Sequence, residues 1–440
     1  MKNKTNNSVK KLLAGAFLAA TLFSATSQPA SAQATHTTRD WAQSAGYLDN
    51  GDSLRNYQTR LRSALFQLKD HPEQNQPLKL SARVVAEGRT GVRRLRIRNF
   101  QFLSDGSPGT GEYNLGAGSW PSVVGVLGSA VAQDFLIQAT IKGIPIDELE
   151  VVFTSRPAPA TSVGGGQVTY PQNLVYTAYI VSPASDAELE DLRQTVERVS
   201  PVLNVVSQKQ EIDHGQLFYT QTPKDRTNTL PGLRDFLEGK RLASQISRQA
   251  RADGTPRGER RARRSNEANN AAQPVNASAP ARNTDPPLRA HIKVEGGTGI
   301  RHVRTDTSNF QFIHDTPRYL AGHNLGPVAE EHILGVMITC LTHIYEIQAA
   351  NRNVALDSLE LEVEGTLTPR VGSINTPPRY SNINYKVHIG SPESKETIEE
   401  LQKAVEAACP IYNMLKNSQE VKGSIVRGPY QEALRTASAE

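Results

Sequence analysis

The chain has 440 residues, with 49 Lys and Arg against 44 Asp and Glu and only 2 cysteines. That length allows two or three domains at roughly 100 to 200 residues each, and 38% hydrophobic with 21% charged residues describes a soluble globular chain. A formal charge of +5 with no basic folded face argues against nucleic acid as a partner, and two cysteines exclude a disulfide-dense scaffold.

At the N-terminus, Lys2, Lys4, Lys10 and Lys11 precede the apolar run Leu12 to Phe23, and small residues follow up to Ala30-Ser31-Ala32. This is the pattern of a secretory signal peptide over residues 1–32. The run is too short for a span of roughly 20 residues; an uncleaved anchor is the alternative. No later stretch reads as a membrane span, so the mature protein is expected to be exported, soluble and periplasmic. Residues 33–76 form an accessory N-terminal segment in which Leu54, Tyr57, Leu61, Leu65 and Leu68 recur at helical spacing.

The rest of the chain repeats itself. Glu87-Gly-Arg-Thr-Gly-Val-Arg93 recurs as Glu295-Gly-Gly-Thr-Gly-Ile-Arg301, an offset of 208 residues. Asn99-Phe-Gln-Phe102, Asn114-Leu-Gly116, Ile137-Gln-Ala139 and Ile146-Asp-Glu-Leu-Glu150 recur 210 residues later, and Ser200-Pro201 is matched by Cys409-Pro410. Two tandem copies follow, residues 77–237 and 287–432. Between them, residues 238–286 have few large apolar side chains and a basic run from Arg257 to Arg264, and read as a disordered linker. Residues 433–440 are a tail.

In the second copy, Leu288 to Val294 alternates as a strand, and Gly296-Gly-Thr-Gly299 turns the chain. Pro327 ahead of Glu330 and Glu331 signals a helix start. Ile333, Val336, Met337, Cys340, Leu341, Ile344 and Ile347 then keep helical spacing, which puts Cys340 on the apolar stripe of a long helix. Strands are expected over Ser358 to Val363 and near Asn382 to Ile389, and a helix over Lys395 to Ala408. Proline at a first helical position makes Cys409 an N-cap, where unpaired amides favour a thiolate. The fold class is α+β.

A buried helix cysteine is ordinarily an inert small hydrophobe. If the fold joins Cys340 to Cys409, two readings are open. Cys340 can attack a peroxide, become a sulfenic acid and be trapped by Cys409, which needs a nearby cation because burial raises a thiol's pKa. Arg301 and Arg304, or Arg89 and Arg93 of the other copy, are the candidates. Alternatively the pair is a structural disulfide worth roughly 3 to 4 kcal/mol. His302, His314, His323, His332 and His343 crowd the second copy without the tight spacing of a zinc site, so neither metal nor cofactor is expected.

Gly326-Pro-Val-Ala-Glu330 through Cys340, Leu356-Asp-Ser-Leu-Glu-Leu-Glu-Val-Glu364 and Cys409-Pro-Ile411 resemble the OsmC/Ohr family of osmotically inducible and organic hydroperoxide resistance proteins. The resemblance implies an intertwined dimer with sites at the subunit interface and thiol-dependent reduction of organic hydroperoxides. It makes Cys340 the peroxidatic cysteine, Cys409 the resolving cysteine and Glu330 the acid that holds a catalytic arginine. In the first copy Ala130, Trp120 and Ser200 stand in place of Cys340, Glu330 and Cys409, so that copy cannot run the reaction. The family's Gly-Arg-x-Gly turn survives only as Gly88-Arg89-Thr90-Gly91, so either Arg301 substitutes locally or Arg89 completes the site from the other copy.

The expectation is therefore two tandem OsmC-like domains docked as a single-chain pseudo-dimer, each with an antiparallel sheet around a long central helix. The expected function is an exported thiol peroxidase acting on organic hydroperoxides with an external thiol reductant. The alternative is a non-enzymatic envelope protein that binds a small hydrophobic ligand or a protein partner and uses Cys340 and Cys409 as a structural disulfide.

Overall fold

The two most apolar stretches of the chain become its central helices, α2 (Ser119–Lys142) and α6 (Ala329–Arg352). A helix that is apolar on all sides must be buried on all sides. In length and composition both would pass as membrane spans, which corrects the reading that no later stretch would; here they are core helices packed on sheets and on each other. Gly143 and Asn353, both left-handed, end them, the usual way to close a helix C-terminus.

The structure is a computed structural model that describes residues 53–106, 111–156, 171–225, 231–254, 287–305, 310–373 and 375–430. The expected signal peptide, the linker from residue 255 onward and the tail lie outside them. In chain order come α1 (Leu54–Asp70), β1 (Leu78–Ala86), β2 (Arg93–Ile97), β3 (Phe100–Ser104), α2, β4 (Glu148–Arg156), β5 (Gln172–Val181), α3 (Asp186–Val199), α4 (Pro201–Ser207) and β6 (Gln216–Gln221). The same order then recurs as α5 (Leu233–Ala252), β7 (Leu288–Val294), β8 (Arg301–Thr305), β9 (Phe310–His314), α6, β10 (Ser358–Thr368), β11 (Arg379–Ser391), α7 (Lys395–Ala408), α8 (Pro410–Lys416) and β12 (Val421–Arg427). The class is α+β, as the sequence implies.

The copies are interlocked. One sheet runs β3-β2-β1-β10-β11-β6 and the other β12-β5-β4-β7-β8-β9. Three strands of one copy therefore continue into two of the other, through β1 against β10 (Ala82 opposite Val363) and β4 against β7 (Val152 opposite His291). Each copy's last strand returns to a far edge and pairs in parallel, β6 on β11 and β12 on β5. The expectation of one antiparallel sheet per copy is thus corrected on two counts: both sheets are shared, and both carry a parallel edge pair. Helix α6 lies on β1, β2 and β10, and α2 on β4, β7 and β8. Glycine lets each helix sit close: a Cβ at Gly125 would be 2.7 Å from Val303, and one at Gly335 would be 3.0 Å from Leu95.

Helix α5 corrects the linker as well, because it runs through residues 238–252. Its buried stripe, Leu233, Phe236, Leu237, Lys240 and Ala243, straddles the boundary placed after residue 237, which hid its period. Gly232-Leu-Arg-Asp-Phe236 also echoes Ser53-Leu-Arg-Asn-Tyr57. The echo extends to contacts: Arg55 donates to Asp147 at 2.8 Å, and Arg234 donates to Asp357 at 2.6 Å. Helix α1 is therefore the leading element of a unit that α5 begins again.

Candidate active site

Cys340 lies mid-way along α6, and the Cys409-Pro410 step caps α8 beneath it. Both are buried free thiols, Cys340 only 3% exposed and Cys409 fully covered. Burial alone would push both thiols up. At Cys340 it is overcome by the Cys409 thiol and the Ile411 backbone turned toward the sulfur, and by the charge of Arg93, so its pKa falls below the usual thiol value. At Cys409 burial dominates and donation to Cys340 adds to it, so its pKa rises well above. The pair is polarised, with Cys340 the more acidic thiol and Cys409 the one that donates to it. Cys409 is the N-cap of α8 without a side-chain capping bond, which leaves the sulfurs beside the unpaired amides at that helix start.

Arg93 opens β2, with inward positions alternating along that strand. It is 1% exposed. Its Nη1 donates to Glu346 Oε2 at 2.7 Å, to Glu112 Oε1 at 2.9 Å and to the Gly91 carbonyl at 3.2 Å, and Asp105 lies 4.0 Å from Nη2. Lys240 of α5 reaches Glu112 at 3.3 Å, and His343 reaches it at 3.1 Å. Burial opposes ionisation of Glu112, but His343, Lys240 and Arg93 hold its carboxyl well below the usual range. Glu346, where burial outweighs Arg93 and Lys240, is pushed up to about 7, and His343 is pushed down to about 4 by burial. Ligand atoms of Glu112, His343 and Glu346 lie within 4.8 Å of one another, as a metal site would require. Two protein cations already occupy those carboxylates, so a divalent ion would have to displace them.

The sequence-predicted residues divide between two places. Cys340 and Cys409, whose approach the sequence left open, lie together. Arg89 does not join them: it is exposed on the turn before β2. Glu330 does not join them either, because ten residues separate it from Cys340, about 15 Å along a helix axis. Arg301 and Glu330 instead meet the first copy's helix, beside Ala130. There Arg301 donates to Ser129 at 3.1 Å, to Gln133 and to the Gly299 carbonyl at 3.3 Å. Burial, opposed by Tyr57, Glu330, Asp315 and Asp134, pushes Arg301 down. A small cavity of about 40 Å³ there is lined by Arg301, Glu330, Asp134 and Gln133.

Each site is thus a helix of one copy facing an arginine of the other. At the site with thiols Trp120 stands at the position that Glu330 has in the other, and Glu112 and Glu346 hold the arginine. Sequence reasoning named Arg93 only as one candidate and missed Glu112, Glu346, Ser119 and Lys240. Glu112 has no counterpart, since Gly322 stands at its equivalent, and Lys240 lay in the supposed linker. Of the crowded histidines, His314 bonds His332 and Ser129, both at 2.8 Å, and burial pushes His332 down to about 3; they form a neutral polar chain in the core. A groove of about 240 Å³ lined by Leu95, Phe102, Leu103, Phe312 and Val336 reaches Ser119 at the start of α2.

A family model described as OsmC-like protein matches residues 322–423. This region is an OsmC-like domain. No curated protein matches the sequence. Among solved structures, an organic hydroperoxide resistance protein OsmC from Legionella pneumophila is 19% identical, with a TM-score of 0.25, over 31% of this chain and 95% of its own. A protein from Psychrobacter arcticus 273-4, described as belonging to osmotic stress induction and detoxification, is 14% identical with a TM-score of 0.25, over 32% of this chain and 94% of its own. The OsmC-like domain contains Glu330, Cys340 and Cys409, while Arg93, Glu112 and Lys240 lie outside it.

Proposed function

We propose that this chain is an exported thiol peroxidase of the OsmC type, formed by two tandem OsmC-like units acting as an internal pseudo-dimer with one working site. The match to the OsmC-like protein family supports a peroxide-linked redox role at family level. The observation that carries the finer reading is the polarised pair of thiols beside Arg93. The Cys340 thiolate attacks one oxygen of a hydroperoxide, an S–O bond forms and the O–O bond breaks, and the departing alkoxide takes a proton to leave as alcohol. Cys409 then condenses with the Cys340 sulfenic acid, releasing water and forming the disulfide. Two electrons from an external dithiol restore both thiols. The apolar groove ending at Ser119 suits a hydrophobic tail, so organic hydroperoxides are the expected substrates.

Stopped-flow oxidation of the fully reduced protein tests this reading. Cumene hydroperoxide should oxidise wild type rapidly and hydrogen peroxide more slowly, and Cys340→Ser should abolish both reactions. If wild type oxidises no faster than a free thiol while Cys340→Ser lowers the melting temperature sharply, the alternative of a binding protein with structural cysteines gains instead.

A further inference from the structure

Helix α5 covers the arginine side of the thiol site. Its Phe236 ring lies where any side chain on Gly91 would be, 2.0 Å from an ideal Cβ, and the Gly91 carbonyl accepts from Arg93. One turn on, Lys240 is 2% exposed and sits 3.3 Å from the Glu112 carboxylate that also accepts from Arg93. Both of these contacts therefore bear on the cradle of one guanidinium. The base of the helix is tied down separately, by Arg234 to Asp357 at 2.6 Å and to the Pro223 carbonyl at 2.8 Å.

Helix α1 provides an internal comparison, because it covers the equivalent turn of the site without cysteines. Tyr57 lies over Gly299, 2.6 Å from an ideal Cβ. Its hydroxyl is bonded to Thr316 at 2.9 Å and donates to the Leu320 carbonyl at 3.2 Å, and Gln58 is bonded in both directions, to Ile144 and from Ile146. On α5 the matching residues are Phe236 and Leu237, which have no polar atoms to fasten. What α5 has instead is Lys240, a charge aimed at the site. Both helices carry an arginine pair at their base, and α1 adds Arg60 on the Gly297 carbonyl; what differs at the covering stripe is that α1 places the neutral Tyr57 and Gln58 bonds there, while α5 places Lys240 on the carboxylate that accepts from Arg93.

We propose that α5 is a clamp that positions Arg93 against Cys340, with Lys240 acting through Glu112 and Phe236 acting through the Gly91 turn. The charge balance shows why a second cation is useful. Asp105, Glu112 and Glu346 face Arg93, His343 faces Glu112, and Cys340 faces Arg93, Cys409 and the Ile411 backbone. Without Lys240 one guanidinium would serve the thiolate and every one of those carboxylates. With Lys240 on Glu112, the negative potential of that carboxylate at the sulfur is offset and the positive potential of Arg93 prevails there. Lys240 and Phe236 are positioning residues, since neither is required to touch the reacting atoms. The placement deepens the peroxidase reading and rests on it for its biological meaning.

The test reads thiol acidity and needs no peroxide. The full-length reduced protein is alkylated with iodoacetamide across a pH series, and Cys340 modification is followed by peptide mass spectrometry. Lys240→Met should move the midpoint upward, making alkylation about tenfold slower at pH values below the wild-type midpoint, a one-unit shift. Lys240→Arg should restore most of it, and Tyr57→Phe on α1 should leave it unchanged. Thermal melts of each variant exclude simple misfolding. The proposal fails if Lys240→Met leaves the midpoint in place, or if Lys240→Arg shifts it as far as Lys240→Met does. The predicted shift in Lys240→Met together with no peroxide reduction by wild type would sink the peroxidase reading alone, whereas normal reduction with no shift would sink the clamp alone.

Discussion

Replacing Arg93 by Met removes one charge from a cluster whose side chains are fully buried. Glu346 and Glu112 lose donors at 2.7 and 2.9 Å, and Asp105 loses its charge partner at 4.0 Å. Breaking a buried ionic set by removing one partner costs about 3–5 kcal/mol. Lys240 stays on Glu112, so the lower end of that range is expected. The cost is pH-dependent, and its sign follows from the carboxylates left behind. Without the guanidinium Glu346 rises further and Glu112 loses part of what holds it low, so protonation relieves the penalty in mild acid and the full penalty is carried above neutrality. Urea denaturation of the reduced protein should therefore show a larger loss of stability at pH 8 than at pH 5. The same change should move Cys340 alkylation up by at least one pH unit, or about 1.4 kcal/mol. A loss below about 1 kcal/mol at pH 8, with an unaltered alkylation profile, would refute the placement of Arg93 at the centre of this site.

Other consequences follow from single residues. Cys409→Ser should leave oxidised Cys340 as a sulfenic acid, which dimedone traps and mass spectrometry detects; no adduct after peroxide treatment would remove the resolving role. The carboxyl of Glu346, raised to about 7 by burial, binds its proton more tightly folded than unfolded. It therefore makes stability fall as pH rises from about 4.5, its unfolded value, to about 7, and Glu346→Gln should flatten that part of the urea-stability profile. An unchanged slope would mean the carboxyl is not buried as described. Gly91→Ala places a side chain at φ 63° and into the Phe236 ring, so it should cost at least about 1–2 kcal/mol and loosen α5, seen as faster hydrogen exchange in that helix.

Much of this architecture is legible in the sequence, and the failures have physical causes. Local periodicity placed β7 at Leu288–Val294 and α7 at Lys395–Ala408 with the bounds observed, because alternation and capping are written within each segment. Which strand pairs with which is not local: nothing in β1 itself says that β10 lies beside it. The arginine was misassigned for a related reason. A turn motif pointed to Arg89, but which arginine faces inward is decided by the register of β2, where Arg93 is buried and Arg94 is not. Glu330 was grouped with Cys340 because both lie on one helix, and a long helix serves two sites at once. Lys240 was lost when an amphipathic stripe was cut at a domain boundary.

The central claim is that one chain holds one working thiol site, built from Cys340 and Cys409 with Arg93 supplied by the other copy. Titrating fully reduced protein with limiting cumene hydroperoxide tests it most directly. The account predicts that one equivalent per chain is consumed, that both thiols disappear together, and that mass spectrometry finds a Cys340–Cys409 disulfide whose rate of formation collapses in Arg93→Met. A folded wild-type protein that keeps both thiols in excess hydroperoxide would contradict it.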